Sequence, residues 1–260
     1  IDYDLIAGHD EQKAEEYCAL PVDMEAAEQE IAMWAKEEQA EFGNIQLQFS
    51  NWNTPAVKDK VINKFLKNVQ KQTSFCALGK NYAGPHIGIR DVFQQLEGSL
   101  IWQPEKSREK ILVALNYILS DGRPPRQFSV PADPNAVPDL DLRYYIDQGV
   151  WVISTLYTYL AYTDDYSILD EICSYYDLHD DCWVTKSAVA DSVLCHLMKI
   201  MDFLLSKLDS AGGTNCLRAM YGDWNDALDG LGKTEDEGKK YGSGVTVMAT
   251  LQLYQKWLKF

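Results

Sequence analysis

Basic residues are in short supply in this sequence. Twenty-four lysines and arginines stand against 39 aspartates and glutamates, the formal charge is −15, and no basic run occurs anywhere. Binding a phosphate backbone needs a Lys/Arg surplus on some face, so the balance argues against a nucleic-acid partner. It suits an uncharged or cationic ligand, whereas an anion such as phosphate has to be held by local donors against the overall field. Long apolar runs are missing too: no stretch approaches the roughly 20 apolar residues of a membrane span, and "IDYDLIAGHDEQ" has no basic segment leading into an apolar one. No membrane partner is expected. The six cysteines, Cys18, Cys76, Cys173, Cys182, Cys195 and Cys216, form no C-x-x-C pair, which indicates neither a zinc site nor a small disulfide scaffold. Reduced thiols and a cytoplasmic location are the expectation. Also absent are a G-x-S-x-G elbow, a phosphate-cradling P-loop, an H-E-x-x-H pair, a Gly/Ser linker and any short repeat.

What is present is a 260-residue chain, 46% hydrophobic, with material for a sizeable core. Apolar residues recur at helical spacing, and alternation of period two is scarce, so the fold class is read as all-α. The spacing predicts helices over roughly Met24 to Phe42, Pro55 to Gln72, Ile89 to Trp102, Lys106 to Leu119, Gln148 to Tyr162, Tyr166 to Tyr176, Ser187 to Leu208, and Val245 to the end. Thr54 is a capping hydroxyl before Pro55, whose missing N–H costs nothing at the first helical position. Proline-rich "DGRPPRQFSVPADPNAVPDLDLR", from Asp121, reads as a long connection, and such loops in compact domains are usually functional or disordered. Paired helices wrapped into an α/α toroid with polar loops at one end fit this pattern. The chain starts without Met and stops in what reads as mid-helix, so a fragment of a longer polypeptide is expected.

Three acidic segments precede helices. In "NYAGPHIGIRDVFQQ", Arg90 and Asp91 follow a glycine-rich approach. They form either a surface ion pair at a helix start or a pair that hydrogen-bonds the vicinal hydroxyls of a polyol. His86, in the same approach, is a possible donor to an anion or hydroxyl. In "DLRYYIDQGVWVISTLYTYL", Asp147 lies between Ile146 and Trp151. It is either a first-turn helix cap or a carboxyl whose burial raises its pKa enough to keep the proton a general acid needs. In "MYGDWNDALDGLG", the alternate donors of a calcium loop fail, since Ala227 and Leu228 fall where oxygen and glycine are required. Asp223, Trp224, Asn225 and Asp226 make either a capped turn or a sugar-binding wall, with the ring against C–H faces and the carboxylates on hydroxyls. His9, His179 and His196 have no partner pattern.

The order of these segments is more specific than any one of them. The series "NTPAVKDKVINKFLKNVQ", "GIRDVFQQLEGSLIWQPEKSREKIL", "YIDQGVWVISTLYTYLAYTDDYSILDE" and "CLRAMYGDWNDALDGLG" resembles the inverting phosphorylases of glycoside hydrolase family 94, the cellobiose phosphorylase family, from about Asn53 to Gly232. The resemblance implies an (α/α)6 barrel catalytic domain, here incomplete and without the family's β-sandwich, with residues 1–22 as linker and 23–260 as part of the barrel. It implies that Asp147, four positions before Trp151, is the general acid. Arg90, Asp91, Asp223, Trp224 and Asp226, with Asn225 between them, line the donor-sugar subsite. The family's phosphate-binding segments lie beyond this chain. No metal or cofactor is implied, and inorganic phosphate is a co-substrate. Relatives in that family often dimerise, although the sequence shows no interface signal of its own.

Two departures bear on substrate: the family's second Asp is Gln148, and "GSGVT" at Gly242 to Thr246 replaces a "GESVW" whose Glu contacts the acceptor. The pattern looks more like the 1,2-β-oligoglucan phosphorylase branch. The implied reaction is phosphorolysis of a β-gluco-oligosaccharide with inversion. Two rivals stay open on pattern alone: an inverting hydrolase with Asp223 or Asp226 as base, and a non-catalytic carbohydrate-binding module.

Overall fold

The computed structural model describes residues 15–16, 23–43, 45–49, 55–78, 86–131, 133, 136–226 and 244–259, with the side chains of 55–57 and 78 excepted. Most of the 1–22 linker, the Thr54 cap, the Gly84–Pro85 approach, Asp229 with its glycines, and Gly242–Ser243 lie outside the described residues. Contacts divide the chain into two compact units, Ile1–Asn63 and Lys64–Phe260.

In the first unit, α1 (Met24–Phe42) begins at Asp23, whose carboxylate accepts the Ala26 N–H at 3.0 Å, as an N-cap should. It ends at Gly43, where φ is +67° and the N–H donates back to the Gln39 carbonyl. An extended segment, residues 45–49, is strapped to the start of α2 (Pro55–Leu78). The Leu47 N–H donates to Asn63 Oδ1 at 2.7 Å, and the Phe49 N–H donates to Asp59 at 3.0 Å.

The second unit carries β1 (His86–Gly88), α3 (Ile89–Ser99), α4 (Pro104–Leu115), β2 (Gln127–Ser129), β3 (Leu140–Asp141) and α5 (Asp147–Thr163). A 3-10 turn (Tyr166–Asp170), β4 (Ile172–His179), β5 (Trp183–Ser192), α6 (Val193–Leu205), β6 (Leu217–Arg218), β7 (Val245–Thr246) and α7 (Val247–Trp257) follow. Helix α5 is the centre of this unit. Val150, Val152, Ile153, Leu156 and Tyr159 are all buried, in one core with Phe93 and Leu96 of α3, Leu100 just after it, and Val193, Leu197, Ile200 and Leu204 of α6. Polar side chains fasten α3 to α5 across this contact: Thr155 donates to the Phe93 carbonyl at 2.8 Å and Ser154 to Glu97 at 2.6 Å. Pro104 opens α4 at a position where its missing N–H is harmless. The proline-rich connection is a loop as expected, but it contributes β2 and β3 to an antiparallel sheet with β1.

The all-α expectation needs correcting at one place above all. The helices foreseen over Tyr166 to Tyr176 and Ser187 to Leu208 are instead a 3-10 turn, an antiparallel hairpin of β4 and β5, and a helix that starts only at Val193. Ile172 is exposed while Cys173 and Tyr175 are buried, and a short apolar run cannot be assigned to helix or strand by period alone. The loop is closed by Asp180 and Asp181 at φ of +50° and +55°, the left-handed region that Asp tolerates better than most residues. Ser192 then restarts the helix by accepting the Cys195 N–H. Helix α4 stops at Leu115 rather than Leu119, because Ile118 and Ser120 bond to Tyr176 at the hairpin edge. Among the described residues, no helix is long and apolar enough to cross a membrane.

Candidate active site

Two polar loop ends and two helix starts converge here. The segment Tyr144–Ile146 runs into α5, and Tyr221–Gly222 lies along it: the Tyr221 N–H donates to the Tyr144 carbonyl at 2.7 Å, and the Ile146 N–H to the Gly222 carbonyl at 3.0 Å. A side chain at 222 would put its Cβ 2.9 Å from the Tyr145 ring, so this close approach requires glycine. The zipper sets Asp223 beside the first residue of α5, Asp147.

Arg90, the second residue of α3, joins the pieces. Its side chain is nearly buried, and Nη1 donates to Asp147 Oδ2 at 3.3 Å and to the Asp223 carbonyl at 3.0 Å. Its Nη2 donates to both oxygens of Asp226 at 3.0 and 2.9 Å. One planar guanidinium therefore ties residues far apart in the chain, using the fork geometry that a lysine lacks. Burial alone lowers the Arg90 pKa, but Asp147 and Asp226 outweigh it and the net direction is up.

Asp147 has no exposed surface, and its Oδ1 is buried without a hydrogen-bond partner. Burial pushes its carboxyl from the ordinary 3.8 to about 6. The Arg90 charge and hydrogen bond pull the other way, and the Asp223 charge adds to the rise. Such a carboxyl holds its proton to a higher pH than an ordinary aspartate does and can give it up when an acceptor arrives. One turn on, the Trp151 Nε1 is also buried without a partner.

The remaining expected residues are placed as follows. The Asp226 side chain is half exposed, and Trp224 is 46% exposed at the surface. The Asn225 N–H donates to Asp223 Oδ1 at 3.0 Å, a turn that holds the Trp224 peptide in shape. Asp91 is not among the residues gathered on the guanidinium. It lines a cavity of about 60 Å³ with Ile87, Gln95, Lys110 and Phe128, and acts on Arg90 through its charge. His86 contacts Asp139 at 3.0 Å instead of the site. His196 is a core histidine, stacked on Tyr175 with its ring nitrogens against the Ser192 and Ser174 carbonyls, and burial lowers its pKa.

The sequence reading took Gln148 only as a departure bearing on substrate, and it missed Arg126. Gln148 is buried and its Oε1 accepts the Arg90 backbone N–H at 2.7 Å. Arg126, from the proline-rich loop, lies with its guanidinium 4.6 Å over the Tyr145 ring, 3.4 Å from Asp141 and 4.0 Å from Asp226. The one available signal for Arg126 was its place in a long loop of the kind that often carries function.

Residues 60–260 match the family described as Glycosyl hydrolase 94 superfamily, catalytic domain. The chain is also 29% identical over 186 residues to the solabiose phosphorylase of Paenibacillus borealis, an alignment that covers 72% of this chain and 20% of that enzyme. The chain thus spans about a fifth of the length of that curated relative. Since the family match takes in α3, α5 and the Tyr221–Asp226 segment together, the protein belongs to the glycosyl hydrolase 94 superfamily.

Proposed function

We propose that the polypeptide to which this chain belongs is an inverting phosphorylase. It cleaves a terminal β-glucosidic bond of a gluco-oligosaccharide with inorganic phosphate and releases α-glucose 1-phosphate. The observation that carries the reading is the single guanidinium of Arg90 joining the buried Asp147 to Asp223 and Asp226. Asp147 is the general acid. Its proton sits on Oδ1, the oxygen without a partner, and passes to the glycosidic oxygen as the bond to the anomeric carbon breaks. A phosphate oxygen attacks that carbon from the opposite face, leaving a shortened sugar and an ionised Asp147. Because Asp147 has no exposed surface, the residues over it must shift for sugar to reach it.

Arg90, Asp223, Trp224, Asn225 and Asp226 form the donor-side wall, with Trp224 as the exposed ring and Asp226 as the half-exposed carboxylate, while Asp91 acts on it through its charge on Arg90. Hydrogen bonds that tighten as positive charge develops on the ring lower the barrier. A hydrolase on this scaffold needs a second carboxylate to activate water, at roughly 6.5–9.5 Å from the first. Asp226 is poorly suited to that task, since both of its oxygens are bonded to Arg90. Phosphate is already an anionic nucleophile and needs no such base. In this reading residues 23–260 form part of an (α/α)6 barrel, no metal or cofactor takes part, and the enzyme works in the cytoplasm.

The acceptor side sets the linkage. The change at Gly242 to Thr246 favours β-1,2-linked chains. Within it, Thr246 caps α7 through its side chain and Val245 pairs with Arg218 through its backbone. The relative's name makes solabiose the other substrate to try. The test is phosphate consumption and release of the α-hexose 1-phosphate of the non-reducing-end sugar by the full-length protein on β-1,2, β-1,3 and β-1,4 gluco-oligosaccharides and on solabiose. Release on β-1,2 chains alone supports the whole reading. Release on another substrate keeps the phosphorylase and overturns the linkage, and sugar release without phosphate overturns the phosphorylase.

A further inference from the structure

The start of α3 has an unusual way of satisfying its backbone. A helix leaves its first N–H groups without intrahelical partners, and a Ser, Thr, Asp or Asn at the N-cap commonly supplies one. Here the N-cap is Gly88, which has no side chain to offer. The missing acceptors come from elsewhere in the chain: the Arg126 carbonyl takes the Ile89 N–H at 3.1 Å, and Gln148 Oε1 takes the Arg90 N–H at 2.7 Å. Gln148 follows Asp147 directly in α5, and both side chains are buried. The same glutamine thus fixes the backbone of the residue whose guanidinium reaches Asp147, and it does so from the helix that carries Asp147.

The chemistry of the cap matters as much as its place. An amide oxygen is a good acceptor with no net charge, whereas a carboxylate here would be a second negative group buried next to Asp147. The groups that already face Asp147 are Arg90 from α3 and Asp223 from the loop, with Asp226 on the far side of the guanidinium. Only one of these is a cation, so a carboxylate in place of Gln148, like the Asp that the family pattern has there, would add to the charge that opposes ionisation of Asp147.

Resting on the reading of Asp147 as proton donor, we infer that Gln148 is a positioning residue. Its neutral amide caps α3 from α5, aligns the Arg90 guanidinium on Asp147, and keeps a further charge away from that carboxyl.

The test uses the full-length enzyme and three variants, each checked for folding by its melting temperature. Gln148→Glu keeps the acceptor and adds the charge. Two interacting carboxyls titrate as a pair whose upper step is raised, so the alkaline limb of the kcat/KM profile moves up by about one pH unit. Gln148→Met keeps the bulk and removes the acceptor, and kcat falls roughly 10- to 100-fold at every pH, the usual scale for a misaligned catalytic group. Recovery of much of that loss by the Glu variant at its own optimum is the sign of capping. A folded Glu variant with the parental limb, or a Met variant with parental kcat, overturns the assignment. Asp147→Asn serves as the control: if it still turns over, the reading of Asp147 falls, separately from any result at Gln148.

Discussion

Replacing Asp147 with Asn should make the protein more stable and inactive at once, and the size of the gain follows from the site. Asp147 lies fully buried with Oδ1 unpaired, and its carboxyl is held at about 6 rather than at the ordinary 3.8. Ionising it within the fold at neutral pH therefore costs about 3 kcal/mol relative to ionising it in the unfolded chain. The sign is that of a raised carboxyl. Between pH 4 and 6 the folded state binds the proton that the unfolded state has lost, so stability falls as pH rises through this window, and above it the full cost applies. Asparagine has the same shape, carries no charge, and still offers Arg90 an amide oxygen to bond. The variant should thus gain up to about 3 kcal/mol at pH 7.5, and the advantage should vanish near pH 4. For a large domain this is roughly 6–12 °C in melting temperature. Thermal unfolding of the full-length protein and its variant across pH 4 to 8 measures the gap, while phosphorolysis should drop by about 10²- to 10⁴-fold. A variant less stable than its parent at pH 7.5, or a gap that ignores pH, would refute the reasoning. The first would mean that the pairing with Arg90 outweighs the burial of the carboxyl, the second that the two cancel.

Arg90→Met removes the one cation that holds Asp147 down and leaves that carboxyl buried with no counter-charge. A loss of about 3–5 kcal/mol in denaturant unfolding is expected, with any residual activity extending to higher pH. Gly122 sits at φ +87° with an added Cβ falling 2.1 Å from the Lys199 carbonyl oxygen, so Gly122→Ala forces backbone to move and should cost at least about 3 kcal/mol or prevent soluble expression. Asp164 ends α5 in the left-handed region at φ 56°, where a glycine is free of the Cβ penalty, and Asp164→Gly should raise the melting midpoint by the equivalent of about 1 kcal/mol.

Parts of the fold could be read from the chain because their causes are local. Asp23 before an apolar-periodic run and Gly43 after it bracket α1 at both ends, and Pro104 opens α4 by the same logic. The hairpin was not legible, since its causes are not local. Alternation is evident only over Ile172 to Tyr175, a bulge interrupts the register between Ser174 and Tyr176, and β4 is held in addition by bonds to Ile118 and Ser120 from another part of the chain. Read as a helix, the same apolar residues also make a face, and only tertiary partners decide between the two.

The site divides along the same line. Asp147, Arg90 and the Asp223–Asp226 segment could be singled out because each lies at a helix start or in a polar turn with the residue types that sugar chemistry uses, and the family resemblance supplied their association. Nothing in the chain says that Arg90 reaches Asp226, which is 136 positions away, or that its backbone is capped by a side chain 58 positions on. Gln148 illustrates the limit. In sequence it stands out only as a departure from the family's second Asp, and its structural role arises because α3 begins with a glycine that cannot cap itself. A missing local partner at one helix start thus points to a non-local one, and a glycine N-cap beneath a candidate site arginine is reason to look for the side chain that replaces it.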